Sequence, residues 1–93
     1  MVRASWNGVV IAESDDTIVV EGNHYFPPDA VDRSLLEPSE HATHCFWKGQ
    51  ASYHHVKVGD ERNDNAAWFY PEPLPDAEQL RDRIAFWRGI EVG

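Results

Sequence analysis

The sequence predicts a mainly β protein built from two antiparallel sheets or a small open barrel. Three observations favour this fold class. Strand-like segments recur between tight-turn signals such as Asn7-Gly8. The four Trp, three Tyr and four Phe residues fall mostly in short clusters, several of them inside these segments. Only two short stretches, which begin at Asp29 and Asp76, carry a helical pattern.

The first half of the chain predicts a hairpin followed by two more strands. These strands are expected at residues 2–6, 9–11, 17–20 and 24–26. Residues 17–20 are Thr-Ile-Val-Val, and this β-branched run favours a buried strand. Pro27-Pro28 then ends strand pairing, because proline has no backbone N–H to donate. Residues 29–36 are predicted to form a short helix or helical turn that Pro38 stops.

The second half predicts more strands, a proline-rich crossing and one short C-terminal helix. The strand pattern resumes at Thr43, and strands are expected at residues 50–58, 66–70 and 85–92. Asp76 fits a helix N-cap, with Gln79 as its reciprocal partner three residues on. Leu80 and Ile84 are four residues apart, which would turn one apolar stripe of the helix toward the sheet. The last strand is expected to complete the sheet that the first strand begins.

The motif Trp-x-Gly occurs three times, at a spacing of about 40 residues. Its copies are Trp6-Asn7-Gly8, Trp47-Lys48-Gly49 and Trp87-Arg88-Gly89. This spacing predicts a pseudo-two-fold internal repeat of two β-rich halves. The alternative is coincidence, because the matches are short and consist of common strand and turn residues.

Charge and composition exclude several classes of protein. Acidic residues outnumber basic ones by 16 to 8, for a formal net charge of −8, which disfavours nucleic acids and anionic membranes as partners. No apolar run is long enough to span a membrane, and the N-terminus does not resemble a signal peptide. A single cysteine excludes an internal disulfide framework and favours the cytoplasm. No linker divides the chain, so residues 1–93 are predicted to form one domain.

The order of the aromatic motifs is similar to that of a known family. The segments that carry the similarity are Glu21 to Pro28 (EGNHYFPP), Cys45 to Gly49 (CFWKG) and Ala67 to Pro71 (AWFYP). The chain resembles, over essentially its whole length, the bacterial domain-of-unknown-function family 427, which carries a nucleotidyltransferase-like label. The resemblance implies a mainly antiparallel β-domain of about this length, without an established reaction. The chain has neither a Gly-Ser pair followed by spaced aspartates nor a Gly-rich phosphate loop.

Seven residues from different segments are predicted to form an aromatic pocket for a small-molecule ligand. Tyr and Trp combine a flat apolar ring with one polar atom, which suits a planar base, a sugar face or a cationic group. One Asn and one Lys would orient the ligand, the Lys through a phosphate or carboxylate. The predicted ligand-binding residues are Asn23, Tyr25, Trp47, Lys48, Tyr53, Trp68 and Tyr70. The alternative is that the rings only fill the core.

A second hypothesis is an enzyme, transferase-like if the family label is right, that uses Cys45 or Glu21. Cys45 lies near Lys48 and several histidines in the sequence, so it could form an activated thiolate. Its alternative role is a small apolar residue in a strand. Glu21 ends a β-branched strand just before a turn, so it is the best candidate for a general acid or base.

A zinc site is a further alternative, although no metal ion or other cofactor is predicted. The residues that could supply imidazole and thiolate ligands are His41, His44, Cys45, His54 and His55. Their spacing matches no familiar zinc pattern. His54 and His55 are adjacent, so in a strand they would point to opposite faces.

A third hypothesis is an interaction module that buries one aromatic face in a homodimer. A chain of 93 residues has a small core, so burial against a second copy would stabilise it. The protein is therefore expected to be a monomer or a homodimer.

Overall fold

A computed structural model describes all 93 residues, and more than half of them lie in nine β-strands. In chain order these are β1 (Val2–Trp6), β2 (Val9–Ser14), β3 (Ile18–Val20), β4 (Asn23–Tyr25), β5 (Leu36–Cys45), β6 (Gly49–Val58), β7 (Glu61–Phe69), β8 (Ile84–Phe86) and β9 (Glu91–Val92). They form three antiparallel sheets with the orders β2-β1-β9, β3-β4 and β5-β6-β7-β8. The predicted mainly β, antiparallel fold is confirmed, and the sheets stay open rather than closing into a barrel.

Backbone hydrogen bonds join the two-stranded sheet to the four-stranded sheet. Phe26, directly after β4, donates to the Ile84 carbonyl at 2.8 Å and accepts from the Ile84 amide at 3.0 Å. Strand β8 is therefore bonded to β7 on one side and to the β3–β4 hairpin on the other. At the other end, β9 pairs with β1, and Arg3 and Gly93 exchange hydrogen bonds of 3.1 and 2.9 Å. The last strand completes the sheet that the first begins, as predicted.

The predicted C-terminal helix is wrong. Pro75–Leu80 forms only 3₁₀ turns, interrupted at Ala77 (φ −118°, ψ 16°). Leu80 is buried, as an apolar stripe requires, but Ile84 is extended and opens β8. Ile84 lies opposite Phe69 and bonds to Phe26, so sheet pairing on both sides outweighs the local helical spacing. None of the helical segments is long and apolar enough to cross a bilayer.

The first helical stretch is also shorter than predicted. Pro28–Ala30 and Arg33–Leu35 are single 3₁₀ turns, and β5 begins at Leu36. The strand runs through Pro38, which was expected to stop the preceding turn. Because β5 lies at the edge of its sheet, a residue without an N–H donor is tolerated there. The strand therefore starts seven residues before the predicted Thr43.

The three Trp-x-Gly motifs do not share one conformation. Asn7-Gly8 and Arg88-Gly89 are tight turns in which both residues have positive φ, between 51° and 85°. Lys48 lacks this left-handed conformation, and Gly49 has φ 108°. Sheets of three, two and four strands do not divide into two matching halves, so this arrangement does not show the predicted repeat.

The apolar interior consists of two neighbouring clusters. The larger lies among the sheets and contains the edge-to-face pair Phe26 and Phe86, whose ring centroids are 5.7 Å apart. The smaller includes Tyr53 and Ala85 of the four-stranded sheet and contains Leu80 and three tyrosines, Tyr25, Tyr53 and Tyr70. The second cluster therefore has phenolic oxygens at its border, which a purely apolar core would not need.

Gly49 allows the loop between β5 and β6 to pack closely on the proline-rich segment. A Cβ atom at this position would lie 3.3 Å from the Glu72 carbonyl oxygen and 3.3 Å from the Leu74 amide nitrogen. The Leu74 amide also donates to the Lys48 carbonyl at 3.0 Å. Gly49 thus fixes the position of the loop that carries Lys48.

Gly49→Ala is expected to destabilise the fold by more than about 2 kcal/mol, because it combines backbone strain with a contact against rigid backbone atoms. Gly59→Ala is the matched control, since Gly59 has φ 61° with open space around it. That substitution should cost only about 1–2 kcal/mol. Urea unfolding of both variants measures the difference, and equal losses would contradict the close approach at Gly49.

Candidate functional site

A cavity of about 270 Å³ opens on the face of the four-stranded sheet that carries Tyr53 and Trp68. Strands β4, β6 and β7, the β5–β6 loop and the chain just beyond β7 and β8 all contribute to it. Tyr53 on β6 lies directly opposite Trp68 on β7, and Trp68 lies opposite Ala85 on β8. Residues paired in this way project from the same face. The lining residues are Asn23, Tyr25, Lys48, Tyr53, Trp68, Tyr70 and Trp87.

Three aromatic rings form one wall of the cavity. Trp68 packs edge-to-face against Tyr25 and Trp87, with centroids 6.1 and 5.8 Å apart. Its indole Nε1 donates to the Tyr25 hydroxyl at 3.2 Å, and the Trp87 Nε1 donates to the Asn65 carbonyl at 2.6 Å. Because the Tyr25 oxygen accepts from Trp68, its own proton is left to be donated elsewhere.

Tyr53 and Tyr70 bring two further hydroxyl groups to the cavity. The Tyr53 hydroxyl lies 2.9 Å from the Thr43 hydroxyl, which sets the direction of that phenol. Burial raises the pKa of the Tyr70 hydroxyl well above its ordinary value, and the neighbouring Tyr25 and Cys45 add to the effect. Tyr70 therefore keeps its proton and remains a hydrogen-bond donor at neutral pH.

Lys48 places a positive charge at the edge of the aromatic surface. The residue is only 7% exposed, and its Nζ donates to the carboxylate of Glu21. The same nitrogen lies 5.3 Å from the Trp47 ring centroid and 5.8 Å from that of Tyr70. Burial acts to lower the pKa of Lys48, but the hydrogen bond to Glu21 and nearby groups outweigh it and raise the pKa. The side chain is an ammonium ion at neutral pH.

The positions of Trp47 and Trp87 both differ from the predicted ones. Trp47 does not line the cavity; it contacts Lys48 and faces a separate shallow groove beside Phe46 and Leu74. Trp87 does line it, although it was assigned to the closing strand. Strand β8 ends at Phe86, and the turn that follows lays Trp87 against Trp68. The Arg88-Gly89 turn is the sequence signal that could have ended the strand early enough to find it.

Glu21 and Cys45 lie beside the cavity rather than in its lining. Glu21 occupies the β3–β4 turn in a left-handed conformation (φ 54°) with its carboxylate on Lys48. Cys45 ends β5 opposite Gly49 and is partly buried. No hydrogen bond joins the thiol to a histidine. Catalysis by Cys45 or Glu21 stays a prediction from the sequence.

The residues considered for zinc do not assemble into a site. No group of three His, Cys, Asp or Glu side chains is placed to hold a metal ion. His41 packs on the Tyr53 ring at 4.6 Å, and His54 stacks on Phe69 at 4.8 Å. Burial lowers the pKa of His54, and neither of its ring nitrogens has a hydrogen-bond partner. His55 is engaged elsewhere, since its Nδ1 accepts from the Asn65 amide at 3.0 Å.

These features define the molecule as a small open β-protein with an aromatic cavity and one buried ammonium group beside it. The family model described as Domain of unknown function (DUF427) matches residues 1–92, and the chain belongs to this family. The resemblance of the aromatic motifs is thereby confirmed. No curated protein matches the sequence significantly.

Tyr70 is expected to make the fold sensitive to alkali. The unfolded chain loses the Tyr70 proton near pH 10, whereas the folded protein retains it to higher pH. The unfolded state then binds fewer protons, so the free energy of unfolding falls as the pH rises above about 10. Tyr70→Phe removes this contribution, so the free energy of unfolding should fall less steeply with pH. The decline that remains includes a contribution from Lys48, whose pKa is also raised in the folded protein.

Urea unfolding followed by circular dichroism at pH 8, 10 and 11 measures this dependence. At pH 8, where Tyr70 is protonated in both states, the free energy of unfolding of the variant should differ from that of the wild type by only about 1 kcal/mol. This value gives the effect of losing the hydroxyl group without the effect of its titration. An alkaline decline as steep in Tyr70→Phe as in the wild type would rule out this role for the Tyr70 hydroxyl.

Proposed function

We propose that the protein binds a small organic molecule with a flat ring system in the aromatic cavity. The observation that carries the proposal is the convergence of five aromatic side chains, one amide and one ammonium group on a single cavity open to solvent. These residues come from segments spread between positions 23 and 87. Small-molecule sites have this composition, an apolar surface with a few placed polar groups.

The size of the cavity supports a small ligand. Its volume of about 270 Å³ lies near the lower end of the range for ligand pockets, which begins at roughly 300 Å³. One ring or two fused rings can enter such a space, whereas a dinucleotide cannot. The edge-to-face arrangement of Trp68 with Tyr25 and Trp87 offers both ring faces and ring edges to a planar molecule.

Exposure of part of this surface argues against the core-only alternative. Trp87 is 42% exposed, although it packs against Trp68. A ring that served only to fill the interior would gain more by full burial, since the hydrophobic gain is proportional to the area removed from water. A bound planar molecule would cover the part of this surface that water now contacts.

The polar groups give the ligand an orientation. Asn23 can both donate and accept, whereas Lys48 and the Tyr70 hydroxyl are donors. Lys48 and Tyr70 lie together, with 5.8 Å between Nζ and the ring centroid, so a ligand with one polar end and one apolar end fits better than a uniformly apolar one. We assign this activity to the cytoplasm, on the strength of the single cysteine.

The homodimer is a second candidate and would use another surface. Phe46 is 86% exposed in the β5–β6 loop and borders the groove that Trp47 and Leu74 share. Phe46 and Leu74 are both exposed beside Trp47 in this groove, and a contiguous exposed apolar patch is a feature of protein contact sites. This surface is separate from the cavity lining, so ligand binding and self-association are compatible proposals.

Binding is tested by the indole N–H signals of the four tryptophans in ¹⁵N-labelled protein. Titration with 2-naphthamide or 2-naphthoate should shift the Trp68 and Trp87 signals, because both rings line the cavity. Trp6 lies outside the cavity and serves as the internal reference. Trp87→Ala should weaken binding without unfolding the protein, since the ring is partly exposed.

Two results would contradict the binding proposal. One is that neither probe shifts the Trp68 and Trp87 signals at millimolar concentration. The other is that Trp6 shifts as much as they do, which would indicate nonspecific association of the probe with the surface.

A further inference from the structure

The two ends of the Lys48–Glu21 ion pair lie in different environments. Lys48 is 7% exposed, whereas the Glu21 side chain is 54% exposed. A buried ammonium group needs an anionic partner, because an unpaired charge in a poorly solvated site is costly. An exposed carboxylate loses little when it returns to water. Lys48 therefore requires an anionic partner, whereas Glu21 can be replaced in that role by another anion.

The position of Glu21 fits an exchangeable partner. It occupies the β3–β4 turn next to Gly22, outside the cavity lining, and its carboxylate reaches the ammonium group from the rim. Asn23, two residues further on, does line the cavity. If the Glu21 side chain turned outward, it would leave Lys48 facing the cavity without moving the strand that holds Asn23.

The other polar groups around the cavity mostly donate hydrogen bonds. The Tyr70 hydroxyl retains its proton and is hydrogen-bonded to the Tyr25 hydroxyl, whose oxygen also accepts from Trp68, so this pair has one proton left to donate into the cavity. Together with the ammonium group of Lys48, these donors complement an anionic oxygen. A cationic ligand would instead meet the positive charge of Lys48 at the border of the aromatic surface.

We infer that the ligand is an aromatic carboxylate, and that its carboxylate replaces Glu21 on the Lys48 ammonium group while its ring enters the aromatic cavity. The inference rests on the proposed function, because it names the chemical class of ligand for the same cavity. The Glu21 carboxylate is then an internal competitor, which neutralises Lys48 in the empty protein and returns to solvent when the ligand arrives. No covalent bond changes; one ion pair replaces another.

Three probes of the same shape and different charge test the inference. They are 2-naphthoate, 2-naphthamide and trimethyl(2-naphthyl)ammonium, and each is titrated into the labelled protein while the Trp68 and Trp87 indole signals are followed. The wild type should bind the anion most tightly. Glu21→Gln keeps the shape of the side chain and removes the competing charge, so it should tighten 2-naphthoate binding by roughly threefold to tenfold. Binding of 2-naphthamide should be unchanged by this substitution.

Two control variants separate local from general charge effects. Glu13→Gln removes the same charge from the β1–β2 hairpin, where Glu13 pairs with Arg3 away from the cavity, and should leave all three affinities unchanged. Lys48→Met should abolish the preference for the anion over the amide. If Lys48→Met does not fold, the Glu21→Gln comparison and the charge series on the wild type still decide the question.

The outcomes distinguish the inference from the proposed function. If Glu21→Gln weakens 2-naphthoate binding or leaves it unchanged, or if the cation binds most tightly, the inference is wrong while ligand binding stands. If no probe of any charge shifts the Trp68 and Trp87 signals, the proposed function itself fails. If Glu21→Gln and Glu13→Gln tightened 2-naphthoate binding equally, the inference would also be wrong. The effect would then come from the net charge of the protein and not from the position of Glu21 beside Lys48.

Discussion

The pairing of β6 with β7 sets the position of the two central rings of the cavity, Tyr53 and Trp68. This register places Tyr53 opposite Trp68, and the pairing of β7 with β8 places Ala85 opposite Trp68 on the other side. A slip of one residue would turn these side chains to the opposite face of the sheet and bring their neighbours in. A bulge between His54 and Val56 shifts the register further along β6, without disturbing the part that carries the cavity.

The loop between β5 and β6 adds the charge to this aromatic surface. Gly49 lets the loop lie against the backbone of Glu72 and Leu74, and this contact holds Lys48 beside the tyrosines. The formal net charge of the chain is −8, yet the charged group at the cavity edge is a buried cation. The charge of Lys48 is therefore opposite in sign to the net charge of the chain, and Glu21 neutralises it in the absence of a ligand.

Much of the β architecture could be predicted from local sequence, because tight turns are specified by a few residues. Asn7-Gly8 forms the expected left-handed turn, and β9 pairs with β1 as expected. The buried strand predicted from the β-branched run at residues 17–20 is wrong, because β3 belongs to a two-stranded sheet and Val19 is 56% exposed. The predicted helices fail where distant pairing outweighs local preference. Ile84 has helical spacing from Leu80, but its hydrogen bonds with Phe26 hold it in a strand. No local pattern encodes such a contact between segments almost 60 residues apart.

The candidate site shows the same contrast between features that local sequence predicts and features that it does not. Six of the seven residues predicted for the pocket line the observed cavity, and four of them lie on β4, β6 and β7, where alternation assigns side chains to faces. Trp47 and Trp87 were misplaced because both lie in loops beyond strand ends, where alternation no longer applies. The pairing of Glu21 with Lys48 joins two turns from different sheets, and the sequence offers no periodic signal for it.

A crystal structure of the complex with 2-naphthoate would show directly whether a bound carboxylate replaces Glu21 on Lys48. We expect the ring against Trp68 and Trp87, the carboxylate on the Lys48 Nζ, and the Glu21 side chain turned into solvent. A naphthoate ion bound elsewhere, or bound in the cavity with its carboxylate outward and Glu21 still on Lys48, would contradict the exchange of ion pairs at Lys48.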